Sequence, residues 1–365
     1  MSLRDYFRKF ASSILRKYLS AIPSQSMSVG SPKSILIIRQ HNQFGDMLAS
    51  VSLFRAVKET FPESKTTLLA SPENYYAVIK NVFVDELFIY DKKKLINPEY
   101  YIEFKKILSR NYDLVIVPAT VAISSTSCIM AGLAKSKIKI GPRSLNGIVN
   151  KNAFVFTHAI DLNWKKCPDA HVSDFILDII RPFGIKTKNY NSNISFDQND
   201  IDYAKEFIAT LKPVEGNKLF GFHIGAGKPQ NKWPLEKYYE LIQQLKTRYQ
   251  FAFYFTGSSA DDEEINYIKD RFGNEAGYFI DRTVPQLAAL VSLSDLIVTN
   301  DTGVMHVAGA TNTYQISLFG PTNPFNWAPV GPTKYFLRKS EFINDISVDA
   351  VIDLVNYIIV KSNNE

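Results

Sequence analysis

The feature that most constrains the fold is an alternation, met twice along the chain, of short apolar runs with stretches of helical period. The first run, Ser34-Ile35-Leu36-Ile37-Ile38-Arg39, carries no polar residue between its ends, as in a strand buried on both faces. Residues 47–59 follow, with Leu48, Val51, Phe54 and Ala56 or Val57 forming the buried stripe of a helix. Further strand-like runs lie at 66–70, 86–90, 114–118 and 138–140, with helical segments between them. Strands alternating with helices predict an α/β chain whose parallel sheets are covered on both faces.

The alternation pauses over residues 189–200, which are polar and rich in Asn, and then restarts. Residues 219–224, 251–256, 278–280, 296–299 and 316–319 read as strands. Residues 234–249, 261–272, 284–292 and 303–310 read as helices, the first with Pro234 at its start. A last helix covers 347–360. The expected organisation is a helix and linker over 1–33, a Rossmann-like domain over 34–195, a second over 196–340 and a C-terminal helix over 341–365. Two doubly wound halves hold ligands beyond the carboxyl ends of their strands.

A chain of 365 residues is long enough for two cores, and 45% hydrophobic with 21% charged residues is ordinary for a globular protein. Cys128 and Cys167 make neither a disulfide framework nor a metal-spaced set, so a reducing, cytoplasmic setting is expected. No uncharged apolar run approaches the roughly 20 residues that span a bilayer. The net charge of +6 suggests an acidic partner, and nothing points to nucleic acid. Part of the excess sits in residues 1–20, where Arg4, Arg8, Lys9, Arg16 and Lys17 face a single acid, Asp5. Leu3, Phe7, Phe10 and Ile14 share a helical face there, which fits either peripheral contact with an anionic membrane or packing on the protein itself. Arg16 and Lys17 interrupt any signal-peptide core.

Four segments follow predicted strands. In Arg39-Gln40-His41-Asn42-Gln43-Phe44-Gly45-Asp46, Gly45 permits close backbone approach, and Asp46 is either a helix cap or a general base. His223-Ile224-Gly225-Ala226-Gly227-Lys228-Pro229-Gln230-Asn231-Lys232-Trp233-Pro234 is a Gly-rich basic turn. Its Lys228 and Lys232 can neutralise phosphate, or the segment is a solvated loop with Trp233 covering apolar surface. Thr256-Gly257-Ser258-Ser259-Ala260-Asp261 opens an acidic first turn, which complements a helix dipole or meets ribose hydroxyls. Asn300-Asp301-Thr302-Gly303-Val304-Met305-His306, with Phe319-Gly320-Pro321-Thr322-Asn323-Pro324 after the next strand, joins a strand end to a helix start, a place to hold an anion. His306 lies one turn beyond Thr302. No zinc spacing, nucleophile elbow or Walker motif is present, and Asp200-Ile201-Asp202 reads as a helix cap.

Taken in this order, the four segments resemble glycosyltransferase family 9, the heptosyltransferases that move heptose from ADP-heptose to the lipopolysaccharide core. The resemblance covers most of residues 34–335. It implies a GT-B architecture, two Rossmann-like domains facing across a cleft, with acceptor on the N-terminal side and donor on the C-terminal side. It implies inverting transfer without metal or other cofactor, Asp46 as the base, and Lys232, Asp261, Asp301, Thr302, Gly303 and His306 at the donor. Secondary candidates are Lys228, Gly225, Gly45 and Gln43. The chain departs from the family at Asn231, where a phosphate-contacting lysine is usual, and in the 40–44 loop that borders the acceptor. The implied partners are a nucleotide-sugar and a lipid-linked or polysaccharide acceptor at the inner face of the inner membrane of a Gram-negative-type bacterium. Competing readings are transfer of another nucleotide-activated sugar, a sugar-nucleotide epimerase of the same architecture, and a non-catalytic nucleotide-sugar binder.

Overall fold

The computed structural model describes residues 13, 15–40, 44–212 and 216–363. Gln43 and most of the basic N-terminal helix, residues 1–12 and 14, lie outside the described residues. The chain divides into two compact units, Met1–Tyr190 and Asn191–Glu365.

In the first unit the described strands are β1 (Ser34–Ile38), β2 (Lys65–Ala70), β3 (Glu86–Ile89), β4 (Tyr112–Ile116), β5 (Ser136–Leu145), β6 (Ile148–Val149) and β7 (His158–Leu162). Their order is β3-β2-β1-β4-β5, and both β6 and β7 pair with β5. All neighbours run parallel except β5 and β6, a hairpin whose turn uses left-handed backbone at Asn146 and Gly147. The central strand explains the apolar run: Ile35, Leu36, Ile37 and Ile38 are all fully buried. Helices α1 (Phe44–Ala49), α2 (Val51–Thr60), α3 (Pro98–Ser109), α4 (Ser125–Leu133) and α5 (Val172–Phe175) belong to this unit. Residues after Leu19 are tied to it by backbone bonds, Ala21 N–H to Phe154 O at 2.8 Å and Ser24 N–H to Thr157 O at 2.9 Å. Asp113 accepts the amides of Lys33 and Ser34 where the chain enters β1.

In the second unit β8 (Lys218–His223), β9 (Phe251–Gly257), β10 (Gly277–Ile280), β11 (Leu296–Asn300), β12 (Tyr314–Leu318) and β13 (Lys334–Leu337) form a parallel sheet in the order β10-β9-β8-β11-β12-β13. The edge strand β13 was not among the expected strands; it is short and only partly buried, so its apolar signal is weak. The helices are α6 (Gln198–Thr210), α7 (Leu235–Lys246), α8 (Asp262–Phe272), α9 (Val284–Ser292), α10 (Gly303–Gly309), α11 (Pro324–Trp327) and α12 (Val348–Ser362). Apolar faces of α7 and α12, Leu241, Leu245, Val351 and Val355 among them, share one core with Phe220, Phe222, Phe253 and Phe255. Asp200 sits in a capping box at the start of α6, where its carboxylate accepts the Asp197 amide at 2.9 Å.

Both sheets reverse direction of winding between their first and fourth strands, β1 against β4 and β8 against β11. In open α/β sheets that reversal opens a crevice at the carboxyl ends of the two strands. Among the described residues, no helix is long and apolar enough to cross a membrane.

Candidate active site

At the reversal in the first unit, the loops after β1 and β4 bring three polar side chains together. Asp46, Arg39 and Thr120 are all buried. Arg39 directly follows β1, and its Nη2 donates to Asp46 Oδ1 at 3.0 Å and to Thr120 Oγ1 at 2.9 Å. Thr120 Oγ1 in turn lies 2.5 Å from Asp46 Oδ1, and Arg39 Nε donates to Ser50 Oγ at 3.1 Å. Burial pulls the Arg39 pKa down, against the charge and hydrogen bond of Asp46. Asp46 Oδ2 is buried and has no hydrogen-bond partner among the described residues. The carboxylate therefore has one oxygen fixed by hydrogen bonds and the other buried without a partner among the described residues. Asp46 is the third residue of α1, inside the first turn and not at its cap. Gly45 precedes it in the same turn.

At the reversal in the second unit, Asn300 ends β11 and organises the loops around it. Its Nδ2 donates to the carbonyls of Ile224 and Gly225 at 2.9 and 3.2 Å. Its Oδ1 accepts the Trp233 amide at 3.1 Å and lies 3.0 Å from the Tyr238 hydroxyl. Trp233 is core, 1% exposed, with its indole N–H on Ile346 O, while residues 227–230 of the same loop are exposed. Asp301 accepts Asn231 Nδ2 at 2.9 Å. Burial raises the Asp301 pKa, opposed by a hydrogen bond from Thr322 and the charge of Lys228. Gly320 lets the Thr322 loop come close: a Cβ there would stand 3.1 Å from Gln230 O and 3.0 Å from Ile343 N. Thr302 precedes α10 in extended conformation, and its own side chain makes no capping hydrogen bond. His306 lies in that short helix with its ring edge-on to Trp327.

Asp261 lies at the turn after β9. Its Oδ2 accepts the Ser258 amide and hydroxyl at 2.9 and 3.0 Å. Its other oxygen faces Gly225, where an added Cβ would be only 2.1 Å away. His223 is buried behind it, with Nδ1 3.0 Å from Thr256 O. Burial lowers the His223 pKa against the charge of Asp261. The Lys232 ammonium is bonded to Glu264, whereas Lys228 is exposed on the Asp301 side.

The second unit thus gathers Gly225, Lys228, Asp261, Asp301, Thr302, Gly303 and His306 on loops and helix starts beyond the carboxyl ends of β8, β9 and β11. Lys232 is on the same loop but engaged elsewhere. Sequence reading missed Arg39 and Thr120 as partners of Asp46, and Asn300 as the centre of the second network. A charged residue ending a wholly apolar strand was the available signal for Arg39; Thr120 had none. Among the described residues there is no cluster of three or more His, Cys, Asp or Glu that could hold a metal.

The sequence pattern of glycosyltransferase family 9 (heptosyltransferase) matches residues 102–349. Lipopolysaccharide heptosyltransferase 3 of Escherichia coli is 23% identical over 307 residues, 78% of this chain and 83% of that protein. A glycosyltransferase family 9 structure from Veillonella parvula aligns with a TM-score of 0.78 at 19% identity, covering 93% of this chain and 99% of the other. The E. coli ADP-heptose LPS heptosyltransferase II aligns with a TM-score of 0.72 at 20% identity, covering 90% and 99%. Identities this low carry the fold, which is of the GT-B class with two Rossmann-like units. The family pattern, spanning well over half the chain, carries the rest: the chain belongs to glycosyltransferase family 9, the heptosyltransferases, and is a glycosyltransferase.

Proposed function

We propose that the protein transfers a heptose from ADP-heptose to a lipopolysaccharide core or a related glycan, with inversion and without a metal. The observation that carries the reading is the Asp46 carboxylate, clamped through Oδ1 by Arg39 and Thr120, with Oδ2 left without a partner among the described residues. In this reading the acceptor hydroxyl oxygen bonds to the anomeric carbon as its proton passes to Asp46 Oδ2. The bond from that carbon to the phosphate oxygen breaks, and ADP departs. The names of the relatives, which include lipopolysaccharide and ADP-heptose, support the choice of acceptor and donor.

Growing charge on the leaving diphosphate calls for fixed dipoles and cations. The amides opening α10 at Thr302 and Gly303 fill that role in this reading, with His306 beside them. Of the two lysines, engagement of Lys232 by Glu264 favours Lys228 as the mobile cation. Asp261 would receive the ribose hydroxyls through the oxygen that faces Gly225. The basic segment 1–20 would hold the enzyme peripherally at the inner face of the membrane, where a lipid-linked acceptor is met.

Calorimetry of ADP-, UDP-, GDP- and CMP-linked sugars with the full chain, in the presence of a chelator, tests the donor. Selective binding of ADP and ADP-heptose is expected. Tighter binding of another nucleotide-sugar would overturn the heptose reading while leaving a transferase. No binding at all would overturn the catalytic one.

A further inference from the structure

Thr120 is fully buried and is bonded in two directions. Its hydroxyl holds Asp46 Oδ1, and its carbonyl accepts the indole N–H of Trp164 at 2.7 Å. A single residue therefore separates the indole from the carboxylate. Trp164 opens a tight turn, Trp164–Lys166, pinned at two points. Asn146, at the β5–β6 hairpin tip, accepts the Trp164 amide at 2.8 Å, and Asn163 accepts the Lys165 amide at 2.9 Å. One face of the indole stacks on Phe175, with centroids 3.9 Å apart and planes inclined by 22°.

This is more anchoring than a surface turn needs, yet Trp164 stays half-buried, unlike Trp233 in its core. Lys165 and Lys166, next along the turn, are exposed. A fixed, partly open aromatic surface offers packing for the apolar C–H face of a sugar, and its polar edge is already satisfied. Two ammonium groups beside it select for negative charge on that sugar.

We propose that the Trp164–Lys166 turn is the acceptor-binding wall of the first unit, and that it takes a sugar bearing a phosphate or carboxylate group. Trp164 stacks on the ring, and Lys165 and Lys166 meet the anionic substituent. The inference rests on the reading of Asp46 as the base, because the wall is placed by its bond to the residue that holds Asp46.

The test uses the full chain with Asp46→Asn, so that acceptor binds without turnover. The probe is de-acylated lipopolysaccharide core, native and phosphatase-treated, titrated by calorimetry. Adding Trp164→Ala should weaken binding of the native fragment about tenfold. Trp164→Phe, which keeps the stack on Phe175, should recover part of the loss. Lys165→Ala with Lys166→Ala should weaken native fragment by a similar factor. If phosphate is the partner, that lysine effect vanishes for treated fragment; if carboxylate, it persists. Undiminished affinity in a folded Trp164→Ala protein would overturn the proposal. Should that variant fail to fold, the exposed lysine pair decides: unchanged affinity for native fragment overturns it equally. Failure of the base reading shows up separately, as transfer by Asp46→Asn with the wall intact.

Discussion

Gly225 and Asp261 are packed so closely that a methyl group on the glycine would stand 2.1 Å from Asp261 Oδ1. The loop after β8 and the turn after β9 meet there with no room for a side chain. Gly225→Ala should push the carboxylate aside and weaken ADP binding about tenfold with the fold kept. Gly227→Ala is the control, since a Cβ at Gly227 meets nothing within 4 Å. Equal ADP affinities for the two variants, read by calorimetry, would remove Asp261 from the donor site.

Asp46→Asn keeps the shape of the side chain and removes its basicity. Transfer should fall about a thousandfold, and ADP binding should stay within a factor of two or so. Single-turnover kinetics with saturating donor and acceptor measures the first, calorimetry the second. Near-normal transfer would leave Asp46 as the counter-ion of Arg39 and nothing more.

The two lysines of the β8 loop separate by partner. Lys228→Met should weaken binding of ADP more than that of adenosine, because only the former brings phosphate charge. Lys232→Met should act mainly on stability, since it leaves the buried Glu264 carboxylate without its cation. Paired measurements of nucleotide affinity and urea midpoint for each variant check the division. The opposite pattern would return Lys232 to the role that the family resemblance implies.

Lys334 gives a pH signature. Its ammonium donates to Thr313 O at 2.6 Å and Ala308 O at 3.1 Å, and burial lowers its pKa from 10.5 to about 7. Between those two values the unfolded chain binds more protons than the folded one, so stability climbs as pH rises through the window. Below the folded value the penalty is present in full. The urea midpoint of the parent should therefore rise relative to Lys334→Met from neutral to alkaline pH. A difference that stays flat, or falls, would show that the buried amine does not titrate there.

Much of the fold was legible because a parallel sheet buries its strands on both faces. Ile35 to Ile38 and Leu296 to Val298 announce themselves as unbroken apolar runs. The small strands were not legible: β6 is two exposed residues and β13 a half-covered edge. The same distinction holds in the site. Asp46, Asp261 and Asp301 stand in short motifs beside strand ends, and local spacing finds them. Thr120 reaches Asp46, and Trp164 reaches Thr120, only through tertiary packing, which no local period encodes. The engagement of Lys232 by Glu264 likewise depends on how α8 lies against the β8 loop.

Asn300 has a consequence for motion. One buried amide joins the β8 loop, the Trp233 turn and the end of β11, so none of these can open without breaking bonds of the same side chain. In hydrogen-exchange terms they are expected to open as a single unit, whose amides share one free energy of exposure. Nucleotide that bound any one of these segments would slow exchange in all three.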